Sequence, residues 1–302
     1  MPVYTGAMMT IAILGAGAIG TLMAYHWRQL HPMIAGADQP VMRQLQHQRS
    51  TSLTLPAWQG HELDWLVVCT KASATLPALQ PLAPHLANVK HIALLQNGMG
   101  QQHALQQWLD QQPKAPQLWV ASTTEGAYRR SPSEVVYAGQ GDTVIGPWRS
   151  TSEPWPPLPP RWQGVEDIQQ RLFHKLAINA VINPLTALHR CRNGKLLTPA
   201  HRPQLLALCG EVSATFAALQ WPQPAELTAT VIKVAEATAY NQSSTLQDLL
   251  ANRPTELDYI TGFILSQAQQ NSVSTPLQQA LAQQLKLKLK LKPSIDPPAP
   301  GR

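Results

Sequence analysis

The first half of the chain alternates short apolar runs with stretches of helical periodicity. TIAIL, residues 10–14, is β-rich and stops at Gly15, and an apolar helical pattern follows from Ala18 to about Leu30. MIAGAD closes a second short run at Asp38. LDWLVVCT, Leu63 to Thr70, is apolar and β-branched through its centre, the pattern of a buried strand. HIALLQNG, His91 to Gly98, is another such run, and a helix follows from about Gln101 to Leu109. QLWVASTTEGA reads as a further strand, and VVYAG with DTVIG as a late hairpin. Strands that alternate with helices predict a mostly parallel α/β sheet.

The pattern changes at STSEPWPPLPP, Ser150 to Pro160, where prolines end regular structure. This predicts two domains, residues 1–160 and 161–302. Beyond Val165 only helical patterns appear, over Glu166–His189, Pro203–Leu219, Ala225–Tyr240, Thr245–Leu250, Thr255–Gln270 and from Pro276 onward. The second domain is therefore expected to be all-helical. LKLKLKLK near the end alternates with period two, but a lone terminal strand has no evident partner. It reads as a frayed helix end running into a tail that is disordered from about residue 290. Residues 1–7 read as a disordered lead, with Met8 or Met9 as the start.

Composition narrows the partners. The chain of 302 residues is 44% hydrophobic and 13% charged, ordinary for a globular protein of about two domains. Its net charge of +6 owes four charges to Lys286, Lys288, Lys290 and Lys292, leaving a body of about +2, so no nucleic-acid partner is expected. Three cysteines, Cys69, Cys191 and Cys209, share no close spacing, which argues against a disulfide scaffold and for a reducing cytoplasm. No run reaches the ~18 apolar residues of a membrane span. IAILGAGAIGTLMA has no preceding Lys or Arg to make it a signal segment. The histidines and cysteines show no H-x-x-x-H or C-x-x-C spacing, so no metal is expected.

Two constellations carry chemistry. GAGAIG, comprising Gly15, Ala16, Gly17, Ala18, Ile19 and Gly20, follows a strand and opens a helix. That is the context in which G-x-G-x-x-G holds a dinucleotide pyrophosphate at a helix N-terminus, a Rossmann-type arrangement. Asp38, about 20 residues on, suits a free ribose 2′-hydroxyl and NADH, whereas Arg43 suits the 2′-phosphate of NADPH. The residues leave both open. The second constellation is Lys175, Asn179 and Asn183, four apart in LFHKLAINAVINPLTAL. Steps of four advance only about 40° around a helix, so one cation and two amides share a stripe suited to a small polar anion. Together they predict an enzyme whose substrate sits between two domains.

Several separated motifs carry a further likeness: GAGAIG, TKA at Thr70–Ala72, QNGMG at Gln96–Gly100 and KLAINAVINPLTAL at Lys175–Leu188. CRNGKL at Cys191–Leu196, NQSSTLQD at Asn241–Asp248 and TELDYITGF at Thr255–Phe263 complete the series. In this order and spacing the chain resembles ketopantoate reductase (2-dehydropantoate 2-reductase). The resemblance implies NADPH-dependent reduction of 2-dehydropantoate to (R)-pantoate, toward pantothenate and coenzyme A, by a Rossmann domain and a helical domain. It makes Lys175 the catalytic lysine, and Lys71, Asn97, Ala127 and Glu256 cofactor positions beside the glycine turn. It places Asn97, Lys175, Asn179, Asn183, Asn193, Asn241 and Ser244 on substrate. The chain departs from the family at AGADQP, where members commonly carry an Arg.

The residue types suit the reaction. Hydride addition leaves negative charge on the carbonyl oxygen, and a Lys whose pKa is lowered by partial burial can attract that charge and then donate the proton. Bland readings stand beside this: Ser243 or Ser244 as a helix cap, Asn193–Gly194 as a turn pair, Glu256 as an acid favoured in a first helical turn. A related 2-keto acid reductase and a non-catalytic NAD(P)-binding sensor are the competing functions. The assembly is expected to be a monomer or homodimer.

Overall fold

The computed structural model describes residues 8–290, so the expectations for residues 1–7 and for the tail beyond 290 lie outside the described residues. The chain divides into two compact units, Met1–Leu172 and Phe173–Arg302. In chain order the first holds β1 (Ile11–Leu14), α1 (Ala18–His26), β2 (Met33–Ala35), β3 (Val41–Gln46), β4 (Ser50–Leu55) and β5 (Leu63–Val68). It continues with α2 (Thr75–Leu79), β6 (Val89–Leu94), α3 (Gln101–Leu109), β7 (Gln117–Thr123), β8 (Gly126–Arg129), β9 (Glu134–Gly139), β10 (Thr143–Pro147) and β11 (Trp162–Gly164).

Seven strands form the main sheet in the order β11-β10-β7-β6-β5-β1-β2. Every neighbouring pair is parallel except β10 with β7. A lone parallel bridge from Ile34 to Ala57 lays residues 56–58 beside β2. Strand order therefore reverses at β1, between β2 and β5. In open α/β sheets the crevice at the carboxyl ends of such strands is where ligands bind. The buried-strand pattern of β5 has its physical reason here: Leu66, Val67 and Val68 are fully buried, with both faces of the sheet covered.

A second sheet, β4-β3-β9-β8, was not foreseen from the residues. Its inward residues Leu45, Leu53, Leu55, Val135 and Tyr137 join one core with Ile11, Ile13, Trp65 and Trp119 of the main sheet. Helix α1 packs against strands of both sheets. That explains why AIGTLMAYH is apolar all round: a helix enclosed on several sides needs no polar stripe. The expected VVYAG/DTVIG hairpin is corrected. β9 pairs with β8 and β3, whereas β10 crosses to the main sheet and pairs antiparallel with β7. The expected strand QLWVASTTEGA likewise breaks at Thr124–Glu125, because β7 and β8 belong to different sheets.

A buried polar knot pins that break. Glu125 Oε2 lies 2.8 Å from His26 Nε2 at the end of α1, with both side chains almost wholly buried. Arg161 Nη1 stands 2.9 Å from His26 Nδ1. Arginine only donates, so Nδ1 accepts, and the neutral imidazole carries its proton on Nε2 and donates it to Glu125. The Pro-rich stretch is also tied to the core. Trp65 donates to the Pro157 carbonyl and Trp27 to that of Pro160, each at 3.0 Å. β11 then rejoins the main sheet beyond the prolines, and the compact units part further on, within the next helix.

That helix is α4 (Ile168–His189), continuous through Pro184, and the second unit continues with α5 (Arg202–Ala218), α6 (Leu227–Ala237), α7 (Ser244–Leu250), α8 (Leu257–Gln270) and α9 (Pro276–Lys290). α5 buries Leu205, Leu208, Cys209, Val212, Thr215 and Phe216, a helical stripe of threes and fours. Phe173, Phe216, Trp221 and Phe263 form an aromatic cluster, with Trp221 and Phe263 stacked at 5.4 Å. Glu211 on α5 accepts from the backbone N–H groups of Leu277 and Gln278, both at 2.7 Å, and so caps α9. The first three residues of LKLKLKLK's lysine series lie on α9, so the described part of that segment is helical.

Candidate functional site

In the first unit the glycine turn stands at the reversal point of the sheet. Gly15 has φ +101°, and a Cβ there would meet the Thr70 nitrogen at 2.8 Å, so only glycine fits. A Cβ on Gly17 would meet nothing within 4 Å and would project into open space. Gly17 is also the N-cap of α1, which has no side-chain cap and no acid in its first turn. The N–H groups that a side chain often satisfies are therefore left facing that space, a fit for a pyrophosphate.

Lys71 and Asn97 stand just past the carboxyl ends of β5 and β6, both half-buried. The loops that carry them are tied together by buried Gln96, which bonds the Thr70 carbonyl at 2.9 Å and the Thr75 hydroxyl at 2.8 Å. Gly98 and Gly100 take φ of +83° and +106°, turning the chain sharply after Asn97. Gln101 and Gln102, both buried, donate to the Asn97 and Gly98 carbonyls. Two glutamines inside a helix start are an unusual use of buried amides, and here they brace the turn.

Arg43, the candidate for the 2′-phosphate, lies on the second sheet. Val41, Arg43 and Leu45 share one face of β3, and Leu45 is fully buried, so the arginine occupies an inward position. Its Nε donates to the Ala16 carbonyl within the glycine turn at 3.0 Å. Burial and then the neighbouring Arg129 both pull its pKa below the usual range. Asp38 is exposed. Ala127 lies on β8, at a register shift opposite β9.

In the second unit α4 carries the polar stripe. Lys175 and Asn179 are half-buried and Asn183 is buried, while Leu176, Ala177, Ala180 and Val181 between them are in the core. Enclosure by protein lowers the Lys175 pKa from 10.5 to about 8, and the Glu256 carboxylate opposes that shift. Glu256 is buried at the N-cap of α8, and its side chain makes no capping bond there; Asp258 is the acid of the first turn. The dipole explanation for Glu256 thus passes to Asp258.

The remaining predicted positions are stitched together. The Asn193 N–H donates to the Asn241 carbonyl at 3.0 Å, and Asn193 Nδ2 to the Thr238 hydroxyl at 2.9 Å. Asn193 Oδ1 is buried without a protein donor. Ser243 caps α7, its Oγ accepting from the Leu246 N–H at 3.1 Å. Ser244 and Asn241 are exposed. The cap is therefore Ser243, and the neighbouring hydroxyl is left over.

Two family models match the chain: ketopantoate reductase PanE/ApbA over residues 11–150, and ketopantoate reductase PanE/ApbA C terminal over residues 167–289. A 2-dehydropantoate 2-reductase of Vibrio cholerae serotype O1 is 35% identical over 299 residues, 92% of this chain and 97% of that protein. The chain belongs to the ketopantoate reductase family. The 2-dehydropantoate 2-reductase of Shigella flexneri is 38% identical over 234 residues, 74% of each chain. Among solved structures, a probable 2-dehydropantoate 2-reductase from Bacillus subtilis has a TM-score of 0.73 at 26% identity, covering 92% of this chain and 99% of that one.

Among the described residues no group of His, Cys, Asp or Glu could hold a metal ion, and no helix is long and apolar enough to cross a membrane. Cys69, Cys191 and Cys209 are free. Burial pushes the Cys69 thiol up to about 12 and Cys209 to about 11, so neither is a ready nucleophile. Sequence reasoning missed the buried glutamines and Glu125. Only the pairing of Glu125 with His26, 99 residues away, reveals its place.

Proposed function

We propose that this chain reduces 2-dehydropantoate to (R)-pantoate with NADPH, with Lys175 as the proton donor. The observation that carries the reading is the chemistry of α4. Lys175 is lowered to about 8 next to Glu256, and it shares a helix face with Asn179 and Asn183. A lysine with that pKa is protonated at neutral pH yet gives up its proton readily, as a general acid must.

When bound, the nicotinamide supplies the hydride. The first unit serves as the dinucleotide-binding domain, with the open space over Gly17 and the uncapped start of α1 receiving the pyrophosphate. Lys71, Asn97, Ala127 and Glu256 complete the cofactor contacts. Arg43 selects NADPH: its inward position and its bond to Ala16 hold a cation at the glycine turn, with Arg129 adding positive potential. Asp38 plays no part in that selection.

The second unit serves as the substrate domain. The Lys175 ammonium attracts the carbonyl oxygen as negative charge grows on it, then transfers its proton. Asn179 and Asn183 hold the substrate's hydroxyl and oxygen atoms through neutral amides. Asn193 offers its buried Oδ1, and Asn97, Asn241 and Ser244 contribute further polar contacts.

Initial rates with ketopantoate, pyruvate, ketoisovalerate and ketoisocaproate, each with NADPH and with NADH, test the reading. Ketopantoate with NADPH is expected to give the highest kcat/KM. A higher value for another keto acid, or nicotinamide binding without oxidation, would contradict it.

A further inference from the structure

The polar stripe of α4 does not stop at Asn183. Thr186 is eleven residues beyond Lys175, which returns it to within about 20° of the same direction on the helix. It is fully buried, in a helix whose neighbouring positions Leu185 and Ala187 are core residues. A hydroxyl there needs a reason, because a buried polar group without partners is costly.

Its partners are specific. Thr186 Oγ1 lies 2.8 Å from the Ile182 carbonyl, 3.0 Å from the Asn183 carbonyl and 2.7 Å from Ser243 Oγ. Ser243 Oγ also accepts from the Leu246 N–H at 3.1 Å. The proton count sets the direction. Thr186 has carbonyl acceptors for its own proton, whereas the Ser243 proton has Thr186 as its acceptor. Ser243 therefore donates to Thr186, Thr186 donates to the backbone at Ile182 or Asn183, and both hydroxyl protons have an acceptor.

This short relay joins two parts of the proposed substrate site. One end is the backbone of Asn183. The other is the turn from Asn241 to Ser244, itself tied to Asn193 through the Asn241 carbonyl. We propose that Thr186 is a positioning residue: through Ser243 it holds the Asn241–Ser244 turn in register with Asn183, and so sets the affinity for the 2-keto acid. The proposal rests on the substrate-binding role given above to Asn183, Asn241 and Ser244. Thr186 is fully buried and its hydroxyl meets only Ile182, Asn183 and Ser243, so its removal is expected to change binding of the keto acid and to leave the dinucleotide domain alone.

The test compares wild type, Thr186→Val and Thr186→Ser for kcat, for KM of the keto acid and for NADPH affinity measured by fluorescence. Valine keeps the shape and removes the hydroxyl; serine keeps the hydroxyl. Thr186→Val is expected to raise the keto acid KM about tenfold, as for one buried hydrogen bond left unmade. NADPH affinity should stay within twofold and Thr186→Ser should restore KM. An unchanged KM in Thr186→Val overturns the proposal, as does an equal loss of NADPH affinity or a failure of serine to rescue. If the valine variant does not fold, Ser243→Ala leaves α4 intact and must raise the same KM; an unchanged value there also overturns it. Should wild type prefer a keto acid other than ketopantoate, the functional reading fails while the same series on the preferred substrate still decides the role of Thr186.

Discussion

Arg43 and Ala16 are joined across the two sheets of the first unit, the guanidinium Nε donating to the carbonyl at 3.0 Å. The arginine takes an inward strand position beside Leu45 and ends at the turn expected to hold a dinucleotide. Replacing it by Gln should weaken NADPH binding at least tenfold, the range for a charge-assisted hydrogen bond, and leave NADH binding within about twofold. Calorimetric titration with each nucleotide checks this. An equal loss for both would assign Arg43 to bracing the turn.

Gly17 and Gly15 should part company on substitution. Gly17→Ala adds a methyl group in open space, so the melting temperature should hold while NADPH affinity falls. Gly15→Ala forces a positive φ and a clash with Thr70, and should destabilise the fold by roughly 1–3 kcal/mol. Thermal melts with and without NADPH separate the two effects.

The Glu125–His26 contact is expected to govern acid stability. Burial leads the causes that lower the His26 pKa below 6.5, and Arg161 and Arg28 add to it against the pull of Glu125. A histidine depressed in the folded state binds fewer protons there than when unfolded. Its contribution is therefore complete above pH 6.5 and is lost as pH falls below that value. Urea denaturation should show stability dropping on acidification below 6.5, and the drop should be smaller in His26→Phe. Glu125→Ala should cost roughly 1–3 kcal/mol at neutral pH, as for a buried N–H donor left without its acceptor.

Much of this was legible in the residues, and the failures have physical causes. The α4 stripe and the glycine turn are local patterns, set by helix periodicity and by steric demands within a few residues. The helices of the second unit were readable for the same reason. The second sheet was not. Strand β3 places Arg43 where an apolar residue would have signalled a buried face, and β4 is mostly Ser and Thr with only Leu53 and Leu55 inward. The false hairpin arose because Gly139–Asp142 has turn composition, whereas sheet membership depends on partners far away in sequence, Thr123 for Thr143 and Leu45 for Val135. Ser243 and Ser244 could not be told apart until the Leu246 N–H was seen to bond the first.

Glu256 gives a signed prediction about Lys175. Its carboxylate raises the lysine pKa against the larger lowering by burial. Glu256→Gln removes that support, so the alkaline limb of the kcat/KM profile should move to lower pH. A shift to higher pH, or none, would mean that the two groups are not coupled in the working enzyme.

The most direct measurement of the central claim is the pH dependence of a single turnover, followed by loss of nicotinamide absorbance with NADPH and ketopantoate saturating. The rate should fall as pH rises through about 8, where Lys175 loses its proton. Lys175→Ala should be slower by about 10²–10⁴ and lose that limb, with NADPH still bound. A Lys175→Ala variant that keeps the wild-type rate and pH profile would contradict the account.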